Sequence, residues 1–178
     1  MSLLDMVQQH LGQGEIEQIS RQIGADPAQT QSAIQAALPM LVGGMASTAQ
    51  QPQGLSAIQQ ALVSHAGVLG NLGALLGAGA PADSGGILGR VLGQHQQTVQ
   101  QGVESSSGLN SDQTRRLLMI LAPIVLGLLA KRHAQKSQQE IGGALQQEAQ
   151  VAQQQAQRQS PHVGGLLGKI LSHVETPR

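Results

Sequence analysis

Histidines are the residues of this sequence best suited to chemistry near neutral pH, because imidazole titrates there and ligates metals. The chain has six, and no two of them form an HxxxH or HExxH pattern, which would put two imidazoles on one helix face. His10, His95 and His173 each follow a short apolar segment, where a cation near a helix C-terminus is mildly stabilising. We interpret them as helix-end residues and predict no metal site.

Other catalytic patterns are missing from the sequence. There is no cysteine, which excludes thiol nucleophiles, thiolate metal sites and disulfides. Glu15 and Glu17 are two residues apart, and such a pair points to different faces of a helix. The glycine clusters contain neither GxGxxG nor GK[ST], and there is no GxSxG. We therefore predict a protein that is not an enzyme, with no catalytic residue and no cofactor.

Charge and composition restrict the partners. Ten basic and ten acidic residues cancel, and they are scattered along the chain, so we expect no basic surface for a phosphate backbone. The sequence has no Phe, Tyr or Trp, which removes the stacking platforms of single-strand binders. We therefore predict no nucleic-acid partner. The N-terminal residues lack the basic and long apolar regions of a secretory signal, so we expect a cytoplasmic protein.

An internal duplication organises the sequence. An ungapped shift of 84 residues aligns the two halves. It places residues that mark helix ends and bends at matching positions, and we take these residues as repeat-defining. Within residues 24–46 the identical pairs are Gly24 with Gly108, Gln29 with Gln113, Thr30 with Thr114, Pro39 with Pro123, Gly43 with Gly127 and Ala46 with Ala130.

Local signals within each unit are helical. Ile16, Ile19 and Ile23 fall on one helix face, and Gly24 after them is a helix stop. Asp26-Pro27 then supplies an N-cap followed by Pro at the first helical position. The apolar runs that follow contain Pro39 and Pro123, which predict either two short helices or one bent helix in each unit.

The predicted fold is all-α and multihelical, with a duplicated unit of about 84 residues. Residues 1–50 and 86–134 are the two helical repeat units. Residues 51–85 hold a helix followed by a Gly/Ala-rich linker, which we expect to be mobile over 67–83. Residues 135–160 are rich in Gln and Ala and are either a weakly amphipathic helix or disordered. Residues 161–178 begin a partial third repeat.

Several segments of the sequence are apolar and rich in glycine. They are Ser2-Leu3-Leu4-Asp5, Gly24 through Pro27, Ala36 through Gly44, Gly85 through Gly89 and Leu121 through Gly127. Together they resemble the YidB-like bacterial proteins, a family of unknown function, over about residues 1–135. The resemblance implies an all-helical, non-enzymatic protein and transfers no catalytic residue.

Glycines four residues apart make a flat strip on a helix, along which another backbone can approach closely. Such a strip either packs inside the monomer or joins chains, and the sequence leaves both alternatives open. We predict an interaction or assembly module that self-associates into a homo-oligomer, with the C-terminal segment completing a groove in its own chain or a neighbouring one. The candidate interaction surface comprises Gly85, Gly89, Gly93, Gly164, Gly168, Leu166, Leu167 and Ile170.

The most apolar run, residues 117–130, has basic residues at both ends. As a helix it is about 21 Å long, shorter than the roughly 30 Å hydrocarbon core of a bilayer. We predict a buried central helix. The alternative is a peripheral protein that lies on an anionic membrane surface through residues 115–132.

Overall fold

The computed structural model describes residues 3–79, 84–133, 137–159 and 161–172, and of these it gives only the helical backbone for 3, 4, 84, 138, 159, 161–164 and 172. Within these ranges the chain is helical and has no strand, which confirms the all-α fold. Short 3₁₀ turns occupy Val68–Asn71 and Gly93–His95. The α-helices are α1 (Leu3–His10), α2 (Gln13–Ile23), α3 (Pro27–Thr48), α4 (Pro52–His65), α5 (Leu72–Ala78), α6 (Ser84–Leu92), α7 (Gln96–Ser107), α8 (Ser111–His133), α9 (Gln138–Gln159) and α10 (Pro161–Ser172).

Helix ends fall where the local signals place them. Gly24 ends α2 with φ 71° and Gly108 ends α7 with φ 73°, and this left-handed conformation favours glycine. Pro27 is the first residue of α3. Asn110 caps α8, because its side-chain oxygen accepts the Gln113 backbone N–H at 2.9 Å. Asp26 is the extended N-cap of α3, as predicted, but its carboxylate makes no capping hydrogen bond.

The internal prolines do not divide the helices. Pro39 lies inside the continuous α3 and Pro123 inside the continuous α8, so of the two predicted alternatives the two short helices are wrong and a single helix is present in each unit. A proline removes one intrahelical hydrogen bond, whereas tertiary packing supplies most of the stability of a helix. Both prolines are buried, and so are nearly all residues around them.

Two long helices, α3 and α8, form the centre of the core and contact each other. The apolar run 117–130 lies in α8 and is buried except for Met119, which is partly buried, as predicted for a central helix. The remaining helices pack around these two. Helices α1 and α4 pack mainly on α8 and α9 packs on α3, whereas α2, α6 and α7 contact both central helices. Helices from each half of the chain thus contact the central helix of the other half.

Two segments that the sequence left uncertain are helical. The expected mobile linker is helical over residues 68–78, and Leu76 is buried there. Burial of an apolar side chain outweighs the low helix propensity of the neighbouring glycines. Residues 80–83 of that linker lie outside the described residues. The Gln-rich segment forms α9, which buries the predicted stripe of Ile141, Leu145, Ala149, Ala152 and Ala156.

Candidate functional site

The histidine side chains contact the helices around them. Nδ1 of His10 donates to the Met6 carbonyl, and Nδ1 of His65 to the Ala61 carbonyl, each at 2.8 Å. His95 lies in the turn after α6, where its Nε2 is 2.8 Å from the Ser47 hydroxyl oxygen. Among the residues that the structure describes, no group of three or more His, Asp or Glu side chains is arranged to hold a metal ion. His173 lies outside the described residues.

A pocket of about 240 Å³ lies beside the buried His133, at the C-terminal end of α8. Its walls are mostly aliphatic, and Gln59 is the other polar residue among the described side chains that line it. No carboxylate is among these lining residues.

Helix α10 lies on α3, α7 and α9. Leu167 and Ile170 of α10 are buried, and Leu166 is partly buried against the core. Gly43 of α3 faces Leu167, and a Cβ atom added at Gly43 would overlap the Leu167 side chain and touch nothing else within 4 Å. The missing side chain of Gly43 thus creates the space that Leu167 fills.

A second glycine completes this groove. Gly102 is buried in α7, and a Cβ atom there would lie 3.2 Å from Cδ1 of Leu166 and would overlap Met40. We name the surface around Gly43, Gly102 and Met40 the α10 groove. Gly102 is not among the site residues predicted from the sequence, although its position with Val99 and Val103 on the buried face of α7 was a usable signal.

The equivalent glycine of the second half, Gly127, is also a point of close approach. A Cβ atom there would lie 3.2 Å from the His65 carbonyl oxygen and 3.4 Å from Cγ of Leu69. Gly43 and Gly127, which the sequence shift pairs, are therefore both points of close contact. Gly43 contacts α10, and Gly127 contacts the end of α4 and the segment after it. The duplication itself stays a prediction.

The glycines of the predicted interaction surface have different environments. A Cβ atom at Gly85 would lie 4.0 Å from Sδ of Met119, and one at Gly93 would lie 3.7 Å from the Thr48 hydroxyl oxygen. Gly89 has nothing within 4 Å, whereas a Cβ atom at Gly168 would lie 3.1 Å from the Gln153 amide nitrogen. Gly164 is described only as part of α10. The leucines and Ile170 of this predicted surface face their own chain in this structure.

A polar contact joins the two halves at their helix caps. The Gln113 amide nitrogen donates to the Gly24 carbonyl at 2.6 Å. The corresponding residues of the two halves are also close to each other, since the Gln29 amide nitrogen lies 3.9 Å from a Cβ atom added at Gly108. Both glutamines and both glycines belong to the pairs that the shift of 84 residues aligned.

The segment proposed for membrane contact is engaged inside the protein. Among the described residues, α8 is the one helix long and apolar enough to cross a membrane, and 78% of its apolar window is buried. The pair of α4 with Val68–Ala78, bent by 43°, passes the same test only if counted as one span. Arg132, one of the flanking cations, forms an ion pair with Glu148 of α9 at 2.7 Å. These contacts do not favour the membrane alternative.

Comparison with known proteins gives one match. The sequence model of a family described as "Bacterial protein of unknown function (DUF937)" matches residues 5–132. No curated protein and no solved structure matches the chain. The matched region ends at the C-terminal end of α8, so it includes Gly43 and Gly102 but neither α9 nor α10.

Proposed function

The chain belongs to this bacterial family of unknown function, which includes the YidB-like proteins that the sequence resembles, and from that premise we propose a non-enzymatic helical module that binds a second copy of itself. The surroundings of the histidines support the non-enzymatic part. Of the described histidines, His10 and His65 contact helix carbonyls and His95 contacts a serine hydroxyl.

The packing of α10 against glycines of α3 and α7 is the observation that supports the proposal. The chain holds a short helix by placing Leu167 against Gly43 and Leu166 against Gly102. Such contacts depend on shape and on apolar burial, and every copy of the chain carries both the leucines and the glycines. Helix surfaces built from small residues that accept large ones are a common means of close helix association. We propose that the protein recognises helices of its own kind in this way and assembles in the cytoplasm.

The solution mass of the full chain tests self-association. We expect multi-angle light scattering with refractive-index detection to show species above the 18.4 kDa of one chain as concentration rises. The chain has no aromatic residue, so absorbance at 280 nm cannot follow it. A mass that stays at 18.4 kDa at every concentration would reject self-association.

Two charge substitutions then locate the surface. Leu167→Asp places a carboxylate in the α10 groove, whereas Gly89→Asp places one on α6, where a Cβ atom would have nothing within 4 Å. Loss of the larger species with Leu167→Asp but not with Gly89→Asp would assign the contact to the α10 groove. The opposite result would assign it to the open face of α6.

A further inference from the structure

The floor of the α10 groove and its occupant lie in different parts of the chain. Gly43 and Gly102 lie within the region that the family model matches, whereas 28 residues separate the end of that match from the start of α10. In this chain the groove is covered by the chain's own helix α10.

The connection between α9 and α10 is a point at which the two helices can separate. Helix α9 ends at Gln159 and α10 begins at Pro161, so one residue lies between them. Proline lacks the N–H needed to continue a helix and disfavours helical conformation in the residue before it. Helices α9 and α10 are therefore separate units, and α10 can be displaced without unwinding α9.

We propose that α10 is an exchangeable ligand of this groove, held by its own chain in the monomer and by a second copy on assembly. An α10 helix from a second copy offers the same leucines to the same glycines, which is the physical basis of domain swapping. The tether gives the chain's own helix an effective concentration on the order of millimolar. Exchange therefore requires high protein concentration or a chain whose own α10 cannot bind. This inference rests on the proposed self-association and names its site.

Two full-length variants with complementary defects test the exchange. Gly43→Leu should fill the groove with its own side chain, because among the described residues an added Cβ atom at this position meets only Leu167. Leu167→Asp leaves the groove intact but prevents α10 from binding in it. Leu167 is fully buried, and a carboxylate would have to be buried in its place. Each variant alone should be a monomer of 18.4 kDa.

An equimolar mixture should contain a heterodimer of twice that mass, in which the intact α10 of the Gly43→Leu chain occupies the free groove of the Leu167→Asp chain. Matched controls are Gly143→Leu and Gly165→Asp, which carry the same new side chains where a Cβ atom meets nothing within 4 Å. Mixing these controls should give no mass beyond that of the wild type. A mixture of the two groove variants that stays monomeric, with both chains helical by circular dichroism, overturns the exchange.

A binding experiment with a synthetic peptide tests the proposal even if Gly43→Leu fails to fold. A synthetic peptide of residues 161–172 should bind the full-length Leu167→Asp chain and should bind the wild type at least tenfold more weakly, because the tethered helix competes. Equal binding to both chains, or binding by a peptide that itself carries Leu167→Asp, overturns the proposal. A wild type that is monomeric while the mixture dimerises would reject self-association as the function and leave the exchangeable groove intact.

Discussion

Thr30 and Thr114 are paired by the shift of 84 residues and differ in one hydrogen bond. Both are fully buried near the start of a central helix, and both backbone N–H groups donate to the carbonyl four residues earlier. The Thr30 hydroxyl also donates to the Asp26 carbonyl at 2.9 Å. In the described part of the chain the Thr114 hydroxyl has no hydrogen-bond partner. We therefore expect Thr→Val to have opposite effects at the two positions.

The magnitudes follow from the two environments. A buried hydroxyl without a partner destabilises by about 1–3 kcal/mol, so Thr114→Val should raise the free energy of unfolding by at least about 1 kcal/mol. Thr30→Val removes a satisfied bond and should lower it by about 1 kcal/mol. Valine keeps the branched shape and has nearly the helix propensity of threonine, so intrinsic propensity cancels between the variants.

Urea unfolding followed by far-UV circular dichroism measures both changes in a chain without aromatic residues. The two midpoints should move in opposite directions at an unchanged slope. In thermal unfolding, each kcal/mol corresponds to roughly 2–4 °C in a chain of this size. If Thr114→Val lowers the stability as much as Thr30→Val does, the Thr114 hydroxyl has a partner in solution and our reasoning about this site is wrong.

Three further predictions use the same unfolding assay. Gly108→Ala should lower the free energy of unfolding by about 1 kcal/mol because of its positive φ, whereas Gly143→Ala, on the exposed side of α9, should raise it by about 0.5–1 kcal/mol. Leu145→Ala should lower it by about 2–5 kcal/mol, since Leu145 is almost fully buried, and an effect below 1 kcal/mol would mean that α9 is not docked. Arg132→Gln breaks the partly exposed ion pair with Glu148, and its effect should be at most about 1 kcal/mol and should shrink in high salt.

The features predicted correctly from the sequence depend only on residues that are close together along the chain. The stops at Gly24 and Gly108 and the start at Pro27 each follow from the backbone preferences of one residue and its neighbours. Residues 68–78 are rich in glycine and were expected to be a linker, yet they are helical because Leu76 is buried in the core. Gly102 was missed for the same reason, since its role depends on Met40 and Leu166 from distant parts of the chain. Properties that depend on tertiary contacts cannot be obtained from local propensity.

The packing also changes the interpretation of the C-terminal segment. In the sequence, α10 looks like the beginning of a third repeat, because its glycines and leucines resemble those of α6. In the structure, α10 packs against Gly43 of α3, while the turn Val68–Asn71 packs against Gly127 of α8.

Helices α4 and α9 correspond in the same way, since α4 lies on α8 and α9 lies on α3. If the duplication is real, its unit extends beyond the third helix to include a fourth helix and a short glycine-containing segment, and α10 ends the second unit. The family match, which stops at residue 132, then contains the whole first unit but only three helices of the second. The α10 groove is in that case the counterpart of a contact that the first unit makes within the family region.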